Sequence, residues 1–175
     1  SDDSFEEVAA GNQAAALEID PSTWDGTDKS STEFEVSGTI EGGDASRGST
    51  VYNVVCTATA ENVHKSEGAG GAIYKTRVTC AGSGLTAVTV RAWGGISFAS
   101  APVDNGNAGP WTVRAGSDYP QGVNVNGAAV TFYTPKEGSG GAGTGYWTGT
   151  TTFQIIAPAA GTIGSVQSLT WRTIS

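Results

Sequence analysis

The chain has 175 residues, with 26 glycines, no methionine and only 15% charged residues. That is the length of one domain with room for a sizeable core, and the charged fraction falls below the usual quarter of a globular chain. No apolar run approaches the roughly 18 residues a membrane span needs, and a single histidine, His64, excludes zinc sites built on two or three imidazoles.

The net charge of −8 is unevenly placed. Residues 1–44 hold 12 acidic residues against one basic, a charge of −11, whereas residues 45–175 hold 5 acidic and 8 basic, a charge of +3. An acidic leader on a mildly basic body argues against nucleic acid as a partner, because phosphate contacts need a basic footprint. The same asymmetry suits a leader that docks on a basic surface, its own or a neighbour's, or else one that is a solvated acidic tail.

Residues 1–31 are expected to be this extension and its linker. Ser4-Phe5-Glu6-Glu7 has the spacing of a capping box, which predicts a short helix over 5–10. Gly11 and Asn12 end it. The stretch 14–19, AAALEI, alternates weakly through Ala15, Leu17 and Ile19 and can pair with a sheet edge. Residues 21–31 are loop by composition. The chain starts with no signal peptide, so in a secreted protein Ser1 is expected to be the mature end; a cytosolic chain that has lost its initiator Met is the alternative.

Residues 32–175 are expected to be one β domain. The stretch 32–40, TEFEVSGTI, alternates apolar Phe34, Val36 and Ile40 with polar neighbours, the period of a strand with one wet face. Residues 51–80 read as two strands joined by a glycine-rich loop. Counted in steps of two, Tyr52, Val54, Cys56, Ala58 and Ala60 share one face of the first strand, and Ala72, Tyr74, Thr76, Val78 and Cys80 share one face of the second. These are the only cysteines. Two cysteines on matching buried faces predict a Cys56–Cys80 disulfide and an oxidising compartment, with two reduced buried thiols as the alternative.

Further strands are predicted at 85–93, 111–114, 146–156 and 166–174, with Trp147, Phe153 and Ile155 in phase. Asn126-Gly127 has the residues of a type I′ turn and predicts a hairpin over 123–133. Eight or nine strands at short intervals predict an antiparallel β-sandwich, immunoglobulin-like or jelly-roll-like, with a closed barrel as the alternative.

Constellations for chemistry are sparse, and no cofactor or metal is expected. Glu137-Gly138-Ser139-Gly140-Gly141 faintly resembles the glycine-framed serine of chymotrypsin-like proteases, and the order His64, Asp104, Ser139 matches theirs. Gly138 stands where that family has Asp, so a plain glycine loop is the preferred reading. Asp104-Asn105-Gly106-Asn107 resembles a fragment of a calcium loop but lacks the downstream Glu, and reads as an Asn-Gly turn. Trp111, Tyr119 and Trp147 lie beside loops and, if exposed, suit stacking on carbohydrate; the competing reading is that they fill the core.

The run from Cys56 through Asn62-Val63-His64-Lys65-Ser66, the return Arg77-Val78-Thr79-Cys80, and Gly145-Tyr146-Trp147-Thr148-Gly149 together resemble a pattern of small secreted actinobacterial β-rich proteins of unassigned function. That resemblance covers about residues 50–175 and implies secretion and a β-rich fold; it implies no activity. The leading functional expectation is a non-enzymatic extracellular assembly protein, at the cell surface or in a filament. Its subunits would be joined to copies of themselves or to another secreted subunit by strand addition through the leader. A carbohydrate- or cell-wall-binding module is the alternative, and a subunit of a toxin complex or phage particle a further one.

Overall fold

Alternation of apolar and polar side chains writes most of this fold. The computed structural model describes residues 30–41, 48–100 and 111–175. It contains nine strands: β1 (Ser31–Glu41), β2 (Ser49–Ala60), β3 (His64–Ser66), β4 (Gly71–Ser83), β5 (Ala87–Ala99), β6 (Thr112–Asn124), β7 (Val130–Thr134), β8 (Gly143–Ala157) and β9 (Ile163–Ile174). All strand pairs are antiparallel. The first sheet runs β1-β2-β4-β3 with β7 on β4, and the second runs β6-β5-β8-β9. Two open sheets packed face to face make a β-sandwich, and no closed barrel forms.

The cysteine hairpin forms as the alternation predicts. Cys56 and Cys80 are directly opposite in the β2–β4 register and are bonded, with Cα atoms 4.0 Å apart. Tyr52, Val54, Ala58, Ala72, Tyr74, Thr76 and Val78 are buried as their phase requires. Glu61–Val63 interrupts the outgoing arm, and pairing with β4 resumes at β3 shifted by one residue.

Two clusters fill the space between the sheets. One joins Phe34, Val36, Val54 and the disulfide to Val90, Phe132, Phe153 and Ile155. The other surrounds Trp147 with Val63, Tyr74, Ile96 and Phe98. Tyr74 lies flat against Gly149, where even a Cβ would collide with its ring. Phe34 stacks on Phe153 at 5.6 Å, an apolar contact across the sandwich.

The hairpin expected at 123–133 is corrected. The turn is present, with Asn126 at φ 62° and Gly127 N–H bonding Asn124 O at 3.2 Å. Its flanks, however, go to opposite sheets: β6 pairs with β5, and β7 with β4. Val123 and Phe132 are buried in one core from the two sides, so local turn chemistry yields to packing across the sandwich. The 85–93 and 111–114 strands are also longer than predicted, because glycines at 94, 95 and 116 pair normally within them.

Side chains lace both open sides. Thr162 N–H donates to Glu35 O at 2.8 Å, and Glu35 N–H to Thr162 Oγ1 at 2.8 Å, tying β1 to the loop before β9. On the other side Ser117 and Thr134 share a buried hydrogen bond at 2.6 Å, and Gln121 Nε2 donates to Thr131 O at 2.8 Å.

Candidate functional site

The second sheet is unusual in that its middle is buried on both faces. Its inner face carries Trp147, Phe153 and Ile155 on β8. Side chains alternate, so Tyr146, Thr148, Thr150 and Thr152 point away from the core. In register beside them lie Trp93 and Ser97 on β5, and Ser165, Gln167, Leu169 and Trp171 on β9. Thr148 is 0% exposed, Thr150 2%, Thr152 1%, Ser97 4% and Gln167 5%. No described strand is layered over this face, since all nine belong to the two sheets and those pack through their inner faces.

The hydroxyl floor is partly self-satisfied. Thr148 Oγ1 donates to Ser168 O at 2.7 Å, and Thr152 Oγ1 and Ser165 Oγ share a bond at 3.0 Å. Gln167 Nε2 is buried with no hydrogen-bond partner among the described residues. The rim is apolar and open: Ile156 is 40% exposed, Ile163 58% and Trp171 48%. Tyr146 and Trp171 meet edge to face at 4.7 Å. At the β5 side Asp118 accepts two bonds from Arg91, at 2.8 and 2.7 Å, which raises the guanidinium pKa despite the opposing cost of burial. The same guanidinium lies 4.4 Å over Trp93.

The described chain begins at the sandwich edge beside β9, on the inner side of the second sheet. Ser30 O accepts from Ala60 N–H at 2.8 Å, and Thr32 and Glu33 pack against Gly164 at the start of β9. Ser30, the first described residue, therefore lies near the edge where β1 meets β9.

A second surface lies at the far end of the cysteine hairpin. The hairpin tip (Ser66, Gly68, Ala69) and the loop 135–138 enclose an open cleft of about 420 Å³ over Ile73, Lys75 and Tyr133. Both walls are fixed by backbone bonds, Gly140 N–H to Ala72 O at 2.7 Å and Ala72 N–H to Gly141 O at 2.9 Å.

Among the described residues the glycine amides beside Ser139 are already engaged. Gly140 N–H is spent on Ala72 O and Gly141 N–H on Ser139 Oγ at 3.2 Å, so neither glycine amide is free for an oxyanion. His64 Nδ1 lies 3.1 Å from Asn62 O, a contact within its own loop. Asp104 and the possible calcium loop at 104–107 lie outside the described residues, as do Ala15, Leu17 and Ile19. Among the described residues no cluster of three His, Cys, Asp or Glu could hold a metal.

The aromatics expected to stack on sugar are corrected in part. Trp147 is fully buried, with its ring on Phe98 at 4.6 Å and its indole N–H donating to Gly143 O at 3.2 Å. A ring covered on both faces cannot stack on a ligand. Tyr119 is half-buried and laces β6 to β7: its hydroxyl accepts from Tyr133 N–H at 2.7 Å, and desolvation raises its pKa. Trp111 is half-buried at the start of β6. Among the described residues the exposed aromatic rings are Trp171 and Tyr133. Their sequence signal was weak, because exposure on a strand depends on which face another element covers. The Thr148-x-Thr150-x-Thr152 row, in antiphase to Trp147, was readable as a polar face, but not as a buried one.

No protein-family model, no curated protein and no solved structure matches this chain.

Proposed function

We propose that this protein is a non-enzymatic, extracellular assembly subunit whose acidic leader seats on the second sheet of a neighbouring copy. One observation carries the reading: a row of hydroxyl and amide side chains is buried on a face that no described strand covers. Burial of polar groups costs free energy unless they are bonded, and this row is already closed to water within the single chain, so what lies over it suits a segment with its own polar groups, and the neighbouring copy would supply that segment by exchange. A peptide segment supplies backbone donors and acceptors, and the buried Gln167 Nε2 is a ready donor to a backbone carbonyl.

Three features support the leader as that cover. Residues 1–29 extend to roughly 95 Å at most, at about 3.3 Å per residue, ample to cross a sheet in the same copy or the next. The described chain begins two residues before Thr32, which touches Gly164 on β9, an edge strand of the second sheet among the described residues. The stretch Ala15, Leu17, Ile19 can pair along such an edge. Exchange between copies, rather than closure within one, is favoured by the rim. Ile156, Ile163 and Trp171 remain exposed around a covered floor, and an apolar rim of this kind is buried when two copies meet. The Cys56–Cys80 disulfide suits an oxidising, extracellular setting.

The test is Trp171→Glu in the intact chain. It is expected to weaken association at least about 30-fold, the ~2 kcal/mol of an interface hot spot, with the circular dichroism spectrum and melting of the subunit unchanged. Association at wild-type strength would overturn the reading.

A further inference from the structure

The cleft at the hairpin tip has a different chemistry from the sheet face. Lys75 and Tyr133 are register partners on β4 and β7. Their neighbours on each strand, Tyr74 and Thr134, are buried, so this pair points outward from the first sheet. Tyr133 is 45% exposed, and Lys75 Nζ lies 5.7 Å from its ring centre. Lys136 stands on the opposite wall, with its Nζ 4.9 Å from the Tyr119 ring. The ion pairs among the described residues are Lys65–Glu67, Arg77–Glu61 and Arg91–Asp118. Lys75 and Lys136 belong to none of them, although the Lys75 charge also reaches Glu61; one ammonium lies by the Tyr133 ring and the other by the Tyr119 ring, whose hydroxyl accepts from Tyr133 N–H. Glu137 is the one acidic residue in the lining.

We infer that this cleft binds an acidic saccharide, with a sugar ring lying on Tyr133 and its carboxylate or sulfate held between Lys75 and Lys136. The flat face of an aromatic ring takes the C–H face of a sugar, and the cations supply the charge that a neutral glycan would waste. Glycines at 68 and 138, the latter at φ 77°, leave both walls low, so an extended chain can pass through the cleft. The backbone bonds of Ala72 to Gly140 and Gly141 hold the walls in place before any ligand arrives, which lowers the ordering cost of binding. The site is independent of the leader-bound face, because it is built from β3, β4, β7 and the loop after β7.

The competing occupant is an acidic peptide, above all the aspartates of this chain's own leader at 20, 25 and 28. Ser30 bonds Ala60, and Glu61 N–H bonds Lys75 O, so those residues are within reach. The experiment is calorimetric titration of the intact protein with polygalacturonate, dextran sulfate, unmodified dextran and a peptide of residues 20–29. The expected result is binding of polygalacturonate or dextran sulfate, with whichever binds naming the acidic group. Dextran should not bind. Affinity should fall with salt, and drop about tenfold in Tyr133→Ala and in Lys136→Ala but not in Lys136→Arg. Both positions are at the surface, so these variants keep the fold, and an unchanged circular dichroism spectrum confirms it. Failure of both acidic polymers to bind, equal binding of dextran, indifference to the two substitutions, or displacement of a bound polymer by the peptide at equal concentration would each overturn the inference. None of these results depends on whether the protein assembles, so the two proposals stand or fall separately.

Discussion

In its middle, from residue 147 to 153, β8 is buried on both faces, and the two are chemically opposite. On the inner face Trp147, Phe153 and Ile155 meet apolar side chains from the other sheet. On the outer face Thr148, Thr150 and Thr152 meet Ser97, Ser165 and Gln167. An apolar face is stabilised by any close-packed cover and becomes a permanent core. A hydroxyl face tolerates water as well as a hydrogen-bonding cover. Burial alone therefore does not distinguish scaffold from interface in this molecule; the chemistry of what is buried does.

Substitutions on the two faces test that contrast. Trp147→Ala on the inner face should cost about 3–5 kcal/mol in denaturant unfolding, since it removes the largest buried side chain and leaves a cavity. Cys56→Ala with Cys80→Ala should cost about 3.5 kcal/mol, the loop-closure entropy of roughly 25 residues, measured by the same unfolding midpoint. Ser117→Ala breaks the buried bond to Thr134 that ties β6 to β7, and should cost about 1–3 kcal/mol. Thr148→Val on the outer face gives up one bond to Ser168 O, for about 1 kcal/mol. An outer-face cost as large as that of Trp147 would erase the contrast.

The smallest effect is on pH. The hydrogen bond from Arg77 to Glu61, 2.6 Å long, holds the Glu61 carboxyl below its ordinary pKa, with the charges of Arg77, His64 and Lys75 adding to it and burial opposing. A depressed carboxylate pKa stabilises the fold above the unfolded-state value. That contribution is lost as pH falls through the lowered folded value. Both partners are largely solvent-exposed, so the loss is slight. In melts between neutral and acid pH, Glu61→Gln should lower the neutral limb slightly and converge with the unsubstituted protein at acid pH, so its acid decline is slightly shallower.

The strand faces were legible from residue order because alternation is a local signal. Phe34, Val36, the cysteine hairpin and Trp147 through Ile155 fall where the period of two puts them. Ile40 is in the same phase as Phe34 yet 41% exposed, because β1 runs past the edge of the core at that end. Pairing of β7 with β4 was not legible. Asn126-Gly127 signals a turn, and nothing local says whether the chain after it returns to β6 or crosses to the other sheet. The candidate sites depend on that crossing: Lys75, Tyr133 and Lys136 are distant in sequence and meet only through the β4–β7 register. The outer-face threonines were visible as a polar row, but the exit of residue 30 beside β9 comes from the packing of Thr32 and Glu33 on Gly164, a contact with no sequence signature.

The central claim is that residues 1–29 join copies of this chain, and the native mass measured by light scattering tests it most directly. The intact chain should form a multimer, and a chain lacking residues 1–29 should be a folded particle of 17.7 kDa less the mass of the deleted segment. An intact chain that is monomeric at every concentration, or a truncated chain that keeps the multimer, would contradict it.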